Sequence, residues 1–139
     1  MNKKINLQNA GFESVRIAHL SENTEDYVEL IADLINDTGV ANTTSIANAL
    51  GVAKPTVSKS LKKLSKDGFV KYEPYKPITL TEKGKKLAKS CKARHKIVYD
   101  FLIALGVSKK TAEIDAEGLE HHASSETLKI FEKFTKKKS

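Results

Sequence analysis

The stretch TTSIANALGVAKPTVSKSLKKL, residues 43–64, limits the possible folds more than any other part of the chain. Ile46, Ala47 and Leu50 make a short apolar face, Gly51-Val52 supplies a tight turn, and Pro55 suits the first turn of a second helix. That helix repeats apolar side chains at Val57, Leu61 and Leu64, spaced i, i+4 and i+7, while hydroxyls and lysines point elsewhere. Two short helices across a glycine turn, the second polar on its outer side, predict a helix-turn-helix. After a stop at Asp67-Gly68, FVKYEPYKPITLT mixes β-branched and aromatic residues with two prolines. It predicts two short strands, about 69–73 and 78–81, joined by a turn over 74–77, as in the wing of a winged helix.

Charge is concentrated on the same region. From Lys54 to Lys89 there are eleven lysines against three carboxylates, a local charge of +8 in a chain whose total is +7. A basic surface confined to one segment points to a polyanion, nucleic acid first and an anionic membrane second. Lys54, Thr56, Ser58 and Lys59, at the start of the second helix, are the candidates for base edges and nearby phosphates. Lys62, Lys63 and Lys76 supply sequence-independent phosphate attraction, and Tyr75 with Lys76 occupies the wing tip.

Upstream, NTEDYVELIADLINDTG places Tyr27, Leu30, Ile31, Leu34 and Ile35 on one helical stripe, with Asn23 or Thr24 as cap and Gly39 as stop. Residues 1–22 lack sustained periodicity and read as an arm with a short helix around ESVRIAHL, where His19 is an ordinary surface histidine. Downstream, Thr81 caps a long helix carrying Leu87, Cys91, Ile97, Val98, Phe101, Leu102 and Leu105 as far as Gly106. A further helix starts at Ser108 and runs through His122, and a last one is capped by Ser124 or Ser125 before a frayed basic tail, KFTKKKS.

At 139 residues the chain holds one domain or two small ones, and 40% hydrophobic with 29% charged residues is a soluble globular profile. No apolar run approaches the roughly 20 residues that span a bilayer, and the N-terminus lacks a signal-type apolar core. The expected location is the cytoplasm, with no membrane partner. The single cysteine, Cys91, leaves oxygen and imidazole as the available metal ligands.

Such ligands gather in DAEGLEHHAS, residues 115–124. Positions i, i+3 and i+4 of a helix fall within an arc of about 100°. Glu117, Glu120 and His121 therefore share one face, and His122 is turned away. The first amphipathic helix offers Asp26 and Glu29 beside its apolar stripe, and His95 on the long helix completes a set if the three helices meet. Taken singly, each piece also fits a solvated face, a pair of carboxylates near a helix start, or a surface histidine.

In EDYVELIADLI, IANALGVAKPTVSKSLKKL, ITLTEKGKKLA, ARHKIVYDFLIALGV and DAEGLEHHASSETL, from about Thr24 to Thr135, the chain resembles the diphtheria-toxin-repressor (DtxR) family and its manganese-responsive MntR branch. The resemblance implies a mainly α fold, with a winged helix-turn-helix DNA-binding domain (residues 23–89, after the arm 1–22) followed by a helical metal-binding and dimerisation domain (90–139). It implies Asp26, Glu29, His95, Glu117, Glu120 and His121 as ligands of two Mn²⁺ ions per subunit, with His122 outside the set. Iron-responsive relatives use a methionine and a cysteine where this chain has Asp26 and Glu117, and the harder donor set suits manganese. The implied activity is manganese-dependent repression of manganese-uptake genes by a homodimer on a palindromic operator, without a small-molecule substrate. The C-terminal SH3-like domain of many iron-type relatives is not expected here.

Two rivals are weaker. Di-iron and di-manganese oxidase sites draw on two Glu-x-x-His helices, of which this chain has one comparable group, and no nucleophile–base pair stands out, so an enzyme is not expected. A metal-independent winged-helix regulator with a solvated acidic face is the other alternative.

Overall fold

The computed structural model describes residues 3–138, except for the side chains of residue 5 and residues 12–21; His19 therefore lies outside the described side chains. Its elements run α1 (Lys3–Thr38), α2 (Thr43–Leu50), α3 (Lys54–Lys66), β1 (Val70–Lys71), β2 (Thr79–Leu80), α4 (Glu82–Leu105), α5 (Lys109–Leu119) and α6 (Ser125–Lys138). The chain forms two compact units, one of residues 24–90 and one of residues 1–23 with 91–139. No described helix is long and apolar enough to cross a membrane.

The 24–90 unit is built as the helix-turn-helix pattern requires. Gly39 takes a left-handed φ of 82° and closes α1, its N–H donating to the Ile35 carbonyl. Asn42 and Ser45 satisfy each other's backbone N–H groups in a reciprocal capping box at the start of α2. Gly51, at φ 69°, ends α2 and turns the chain into α3. Val57, Leu61 and Leu64 of α3 are buried against Tyr27, Val28 and Ile31 of α1 and Ile46 and Ala47 of α2. Val70, Ile78, Leu80 and Ala88 close this core from the wing and the first turns of α4.

The wing strands are shorter than the sequence suggests, two residues each, pairing Val70 with Leu80 and Lys71 with Thr79 in antiparallel register. Pro74 and Pro77 lack backbone N–H groups and cannot extend the ladder. The Ile78 N–H instead donates to the Ala41 carbonyl, tying the wing to the segment before α2. At the wing base, the Thr81 hydroxyl donates to the Gly68 carbonyl and accepts from the Gly84 N–H.

The other unit holds Val98 of α4, Ala116 of α5 and Leu128 of α6, backed by Ile97, Leu102 and Phe131. Phe101 stacks on Phe131 with ring centroids 4.0 Å apart and meets Phe134 edge-on at 5.5 Å. Ser108 caps α5 and Ser124 caps α6 by accepting from the Thr127 N–H.

Three further expectations are corrected. No helix begins at Asn23 or Thr24: α1 is already helical from Lys3, because a polar stretch without proline can continue a helix whose later turns are packed. α5 ends at Leu119 rather than running through His122; the N–H groups of His121 and His122 donate to the Gly118 and Leu119 carbonyls in a tighter terminal turn. The tail is helical as far as Lys138, with Lys136, Lys137 and Lys138 in its last turn, where cations oppose the helix dipole.

Candidate metal centre and nucleic-acid interface

The side chains expected to meet DNA lie at the surface of the 24–90 unit. Burial of Val57, Leu61 and Leu64 on one side of α3 leaves Lys54, Thr56, Lys59, Lys62 and Lys63 exposed, with Ser58 half-buried between them. Pro55 stands in the first turn of α3, where a missing N–H costs nothing. At the wing tip Tyr75 is fully exposed and, though not glycine, sits at φ 66°. Lys76 beside it pairs with Glu73 at 2.7 Å, a solvent-exposed link that holds the lysine near the tip.

Between this tip and α3 runs a groove of about 560 Å³ lined by Thr43, Thr44, Lys54, Ser58, Tyr75 and Lys76. It brings together four residues assigned from sequence and adds others that sequence reasoning passed over, Thr43 and Thr44 among them. Thr43 and Thr44 open α2, and the capping pair Asn42–Ser45 was the signal that a helix starts there.

The metal candidates divide between the two units. Asp26 and Glu29 stand one turn apart on α1 in the 24–90 unit, both half-buried beside the buried Tyr27, Val28 and Ile31. His95, Glu117, Glu120 and His121 belong to the other unit, which brings them together. His95 Nδ1 is 3.2 Å from Glu117 Oε1 and 3.8 Å from Glu120 Oε1, and His121 Nε2 is 3.8 Å from that same Glu120 oxygen. Glu120 is 1% exposed, the only charged side chain buried so deeply among the described residues. His122 faces Glu22 instead, at 3.6 Å.

The donor chemistry fits a divalent cation. A carboxylate taken out of water is costly unless positive charge or hydrogen bonds compensate it. Ligand atoms about 2.1 Å from one ion lie roughly 3.0–3.4 Å from one another in octahedral or tetrahedral arrangements. The 3.2 Å contact falls in that range and the two 3.8 Å contacts lie just outside it. Sequence reasoning missed Glu113, whose Oε1 is 3.1 Å from His95 Nε2; its position one turn before Glu117 was the available signal. Asp115, two residues from Glu117, stays exposed on another side of α5.

Comparison with known proteins agrees with both halves of this description. Residues 19–78 match the family model of the iron-dependent repressor N-terminal DNA-binding domain, and residues 81–138 that of the iron-dependent repressor metal-binding and dimerisation domain. The transcriptional regulator MntR of Escherichia coli is 50% identical over 127 residues, covering 91% of this chain and 82% of that protein. The chain belongs to the DtxR family of metal-responsive DNA-binding repressors, on its MntR branch. The HTH-type regulator MntR of Bacillus subtilis is 43% identical over 100 residues, covering 72% of this chain and 70% of that one. Among solved structures, the manganese regulator SloR superposes with a TM-score of 0.70 at 30% identity, and a manganese-dependent transcriptional repressor in complex with manganese with 0.73 at 27%. Each of these covers 81% of this chain, which spans about half the length of either solved chain, 53% and 52%. The family is not enzymatic, so the oxidase reading falls, and DNA, a second subunit and a divalent metal such as Mn²⁺ are its partners.

Proposed function

We propose that this chain represses manganese-uptake genes in the cytoplasm by binding a palindromic operator as a homodimer, with Mn²⁺ as corepressor. The observation that carries the reading is the buried Glu120 carboxylate, one oxygen of which has an imidazole nitrogen of His95 and one of His121 at 3.8 Å each. A solvated acidic face, the metal-independent alternative, does not bury a carboxylate in this way.

Asp26, Glu29, His95, Glu117, Glu120 and His121 would hold two ions per subunit. Bound divalent cations supply positive charge that offsets the clustered carboxylates. Asp26 and Glu29 belong to the first helix of the DNA-binding unit, and the other four ligands to the helical unit. Ligands drawn from both units restrict how far apart the two α3 helices of a dimer stand, favouring the spacing of two half-sites. The coupling runs both ways, so operator DNA raises the affinity of these six residues for metal. Four carboxylates and two imidazoles form a hard, oxygen-rich set suited to Mn²⁺, although Zn²⁺ binds such donors more tightly in the absence of geometric selection. The words "manganese-dependent" and "manganese regulator" in the names of similar structures support the same choice.

The test is fluorescence anisotropy on a labelled palindromic operator across Mn²⁺ concentrations. Operator affinity rises with Mn²⁺ for the wild type, and Glu117→Ala needs far more Mn²⁺ to reach the same affinity. Wild-type binding indifferent to Mn²⁺, or equal activation by Zn²⁺, refutes the reading.

A further inference from the structure

Glu113 has no place in the six-residue ligand set, yet its carboxylate meets one of those ligands directly. His95 is 16% exposed and presents its two ring nitrogens to different partners: Nε2 lies 3.1 Å from Glu113 Oε1, and Nδ1 lies 3.2 Å from Glu117 Oε1. A neutral imidazole carries one N–H and one lone pair, and an ionised carboxylate can only accept. The contact with Glu113 is therefore a hydrogen bond only if the proton is on Nε2. That tautomer leaves the lone pair on Nδ1, the nitrogen that faces Glu117 and, at 3.8 Å, Glu120.

We infer that Glu113 is a positioning residue: it fixes the Nε2–H tautomer and the ring orientation of His95, and so directs the Nδ1 lone pair at the metal site. The inference rests on the reading that His95 is a ligand. Glu113 and Glu117 are four residues apart on α5, so one rigid element presents the orienting group and a ligand to opposite edges of the same ring. The Tyr99 ring, nearly parallel to His95 at 10° with centroids 6.4 Å apart, flanks the imidazole from its own helix, α4. Carboxylates that accept from the far N–H of a ligating histidine tune its basicity, and losing one typically costs 10–100-fold in metal affinity. Because Glu113 is 62% exposed, the low end of that range applies.

The experiment uses the full chain and two readouts. Mn²⁺ titration followed by electron paramagnetic resonance should show Glu113→Ala binding about tenfold more weakly than wild type at unchanged stoichiometry. Glu113→Gln, whose side-chain carbonyl still accepts, should recover most of the loss. In ¹¹³Cd²⁺-loaded, ¹⁵N-histidine-labelled protein, the cadmium coupling should appear at His95 Nδ1, with Nε2 protonated. Unchanged Mn²⁺ affinity in Glu113→Ala, coupling at Nε2, or loss of one bound ion per subunit overturns the inference, the last by making Glu113 a ligand itself. If the wild type bound no Mn²⁺, the proposed function would fail as well; failure confined to the Glu113 variants leaves that function standing.

Discussion

Gly84→Ala sets two physical effects against each other in a way the structure decides. Replacing a helical glycine by alanine stabilises by up to about 1 kcal/mol, because alanine has less backbone freedom to lose. A Cβ at Gly84, however, overlaps the Phe69 carbonyl oxygen and stands 3.1 Å from its carbon and 3.2 Å from Leu80 Cδ2. The first two obstacles are backbone and cannot rotate away. Relief requires the segment before β1 to move off α4, which strains the Thr81 N–H bond to the Phe69 carbonyl and the Thr81 hydroxyl bond to the Gly68 carbonyl. Overpacking costs about 1–3 kcal/mol and each weakened hydrogen bond about 1 kcal/mol. Set against the helix gain, the expected net change is a loss of about 3 kcal/mol. For a unit of this size that corresponds to a fall of roughly 15 °C in Tm. Thermal and urea unfolding followed by circular dichroism, at one fixed protein concentration, measure it. An alanine variant as stable as wild type, or more so, would refute the packing argument and return the decision to helix propensity.

The surface makes its own predictions. Lys63→Ala should weaken specific and nonspecific DNA alike and reduce the salt slope by about one, whereas Thr56→Ala should alter preference at one base position; equal losses on both kinds of DNA for Thr56→Ala would remove it from base readout. Lys96 donates to Asp100 at 2.8 Å, and that hydrogen bond, with the carboxylate's charge, raises the ammonium pKa above its ordinary 10.5. Because the folded-state value is the higher one, the link is fully present below 10.5 and is lost as pH rises through the raised value. A ¹⁵N titration of Lys96 Nζ should therefore fall back toward 10.5 in Asp100→Asn, and an unmoved midpoint would show that Asp100 is not the cause.

The helix-turn-helix was legible because its signals are local: the stripe Val57, Leu61, Leu64, the proline in the first turn of α3 and the left-handed glycine at Gly51 each act within a few residues. The same holds for Gly39 and Gly106, whose positive φ values close α1 and α4 where the apolar stripes end. What escaped was non-local or carried no pattern. The bond from Ile78 to Ala41 joins residues far apart in sequence, and no periodicity announces it. The helical start of α1 is polar, with residues 6–11 exposed, so it shows no stripe to read. In the candidate site, helical spacing grouped Glu117, Glu120 and His121, while the ring edge that Glu113 meets depends on where α4 carries His95. The end of α5 at Leu119 depends on the turn that follows, which contains no glycine or proline at that point to mark it.

Both ends of the wing are fixed, by the Val70–Leu80 pair with Thr81 on one side and by the Ala41 carbonyl on the other, while the stretch from Tyr72 to Pro77 is strung between them. Loop closure depends only weakly on length, about 0.6 kcal/mol for each doubling. Substitutions, and even inserted residues, between Glu73 and Lys76 thus disturb the surrounding frame little, whereas Tyr72 packs against the core and does not share that freedom. The tip is thus a segment whose length and sequence can drift at little risk to folding.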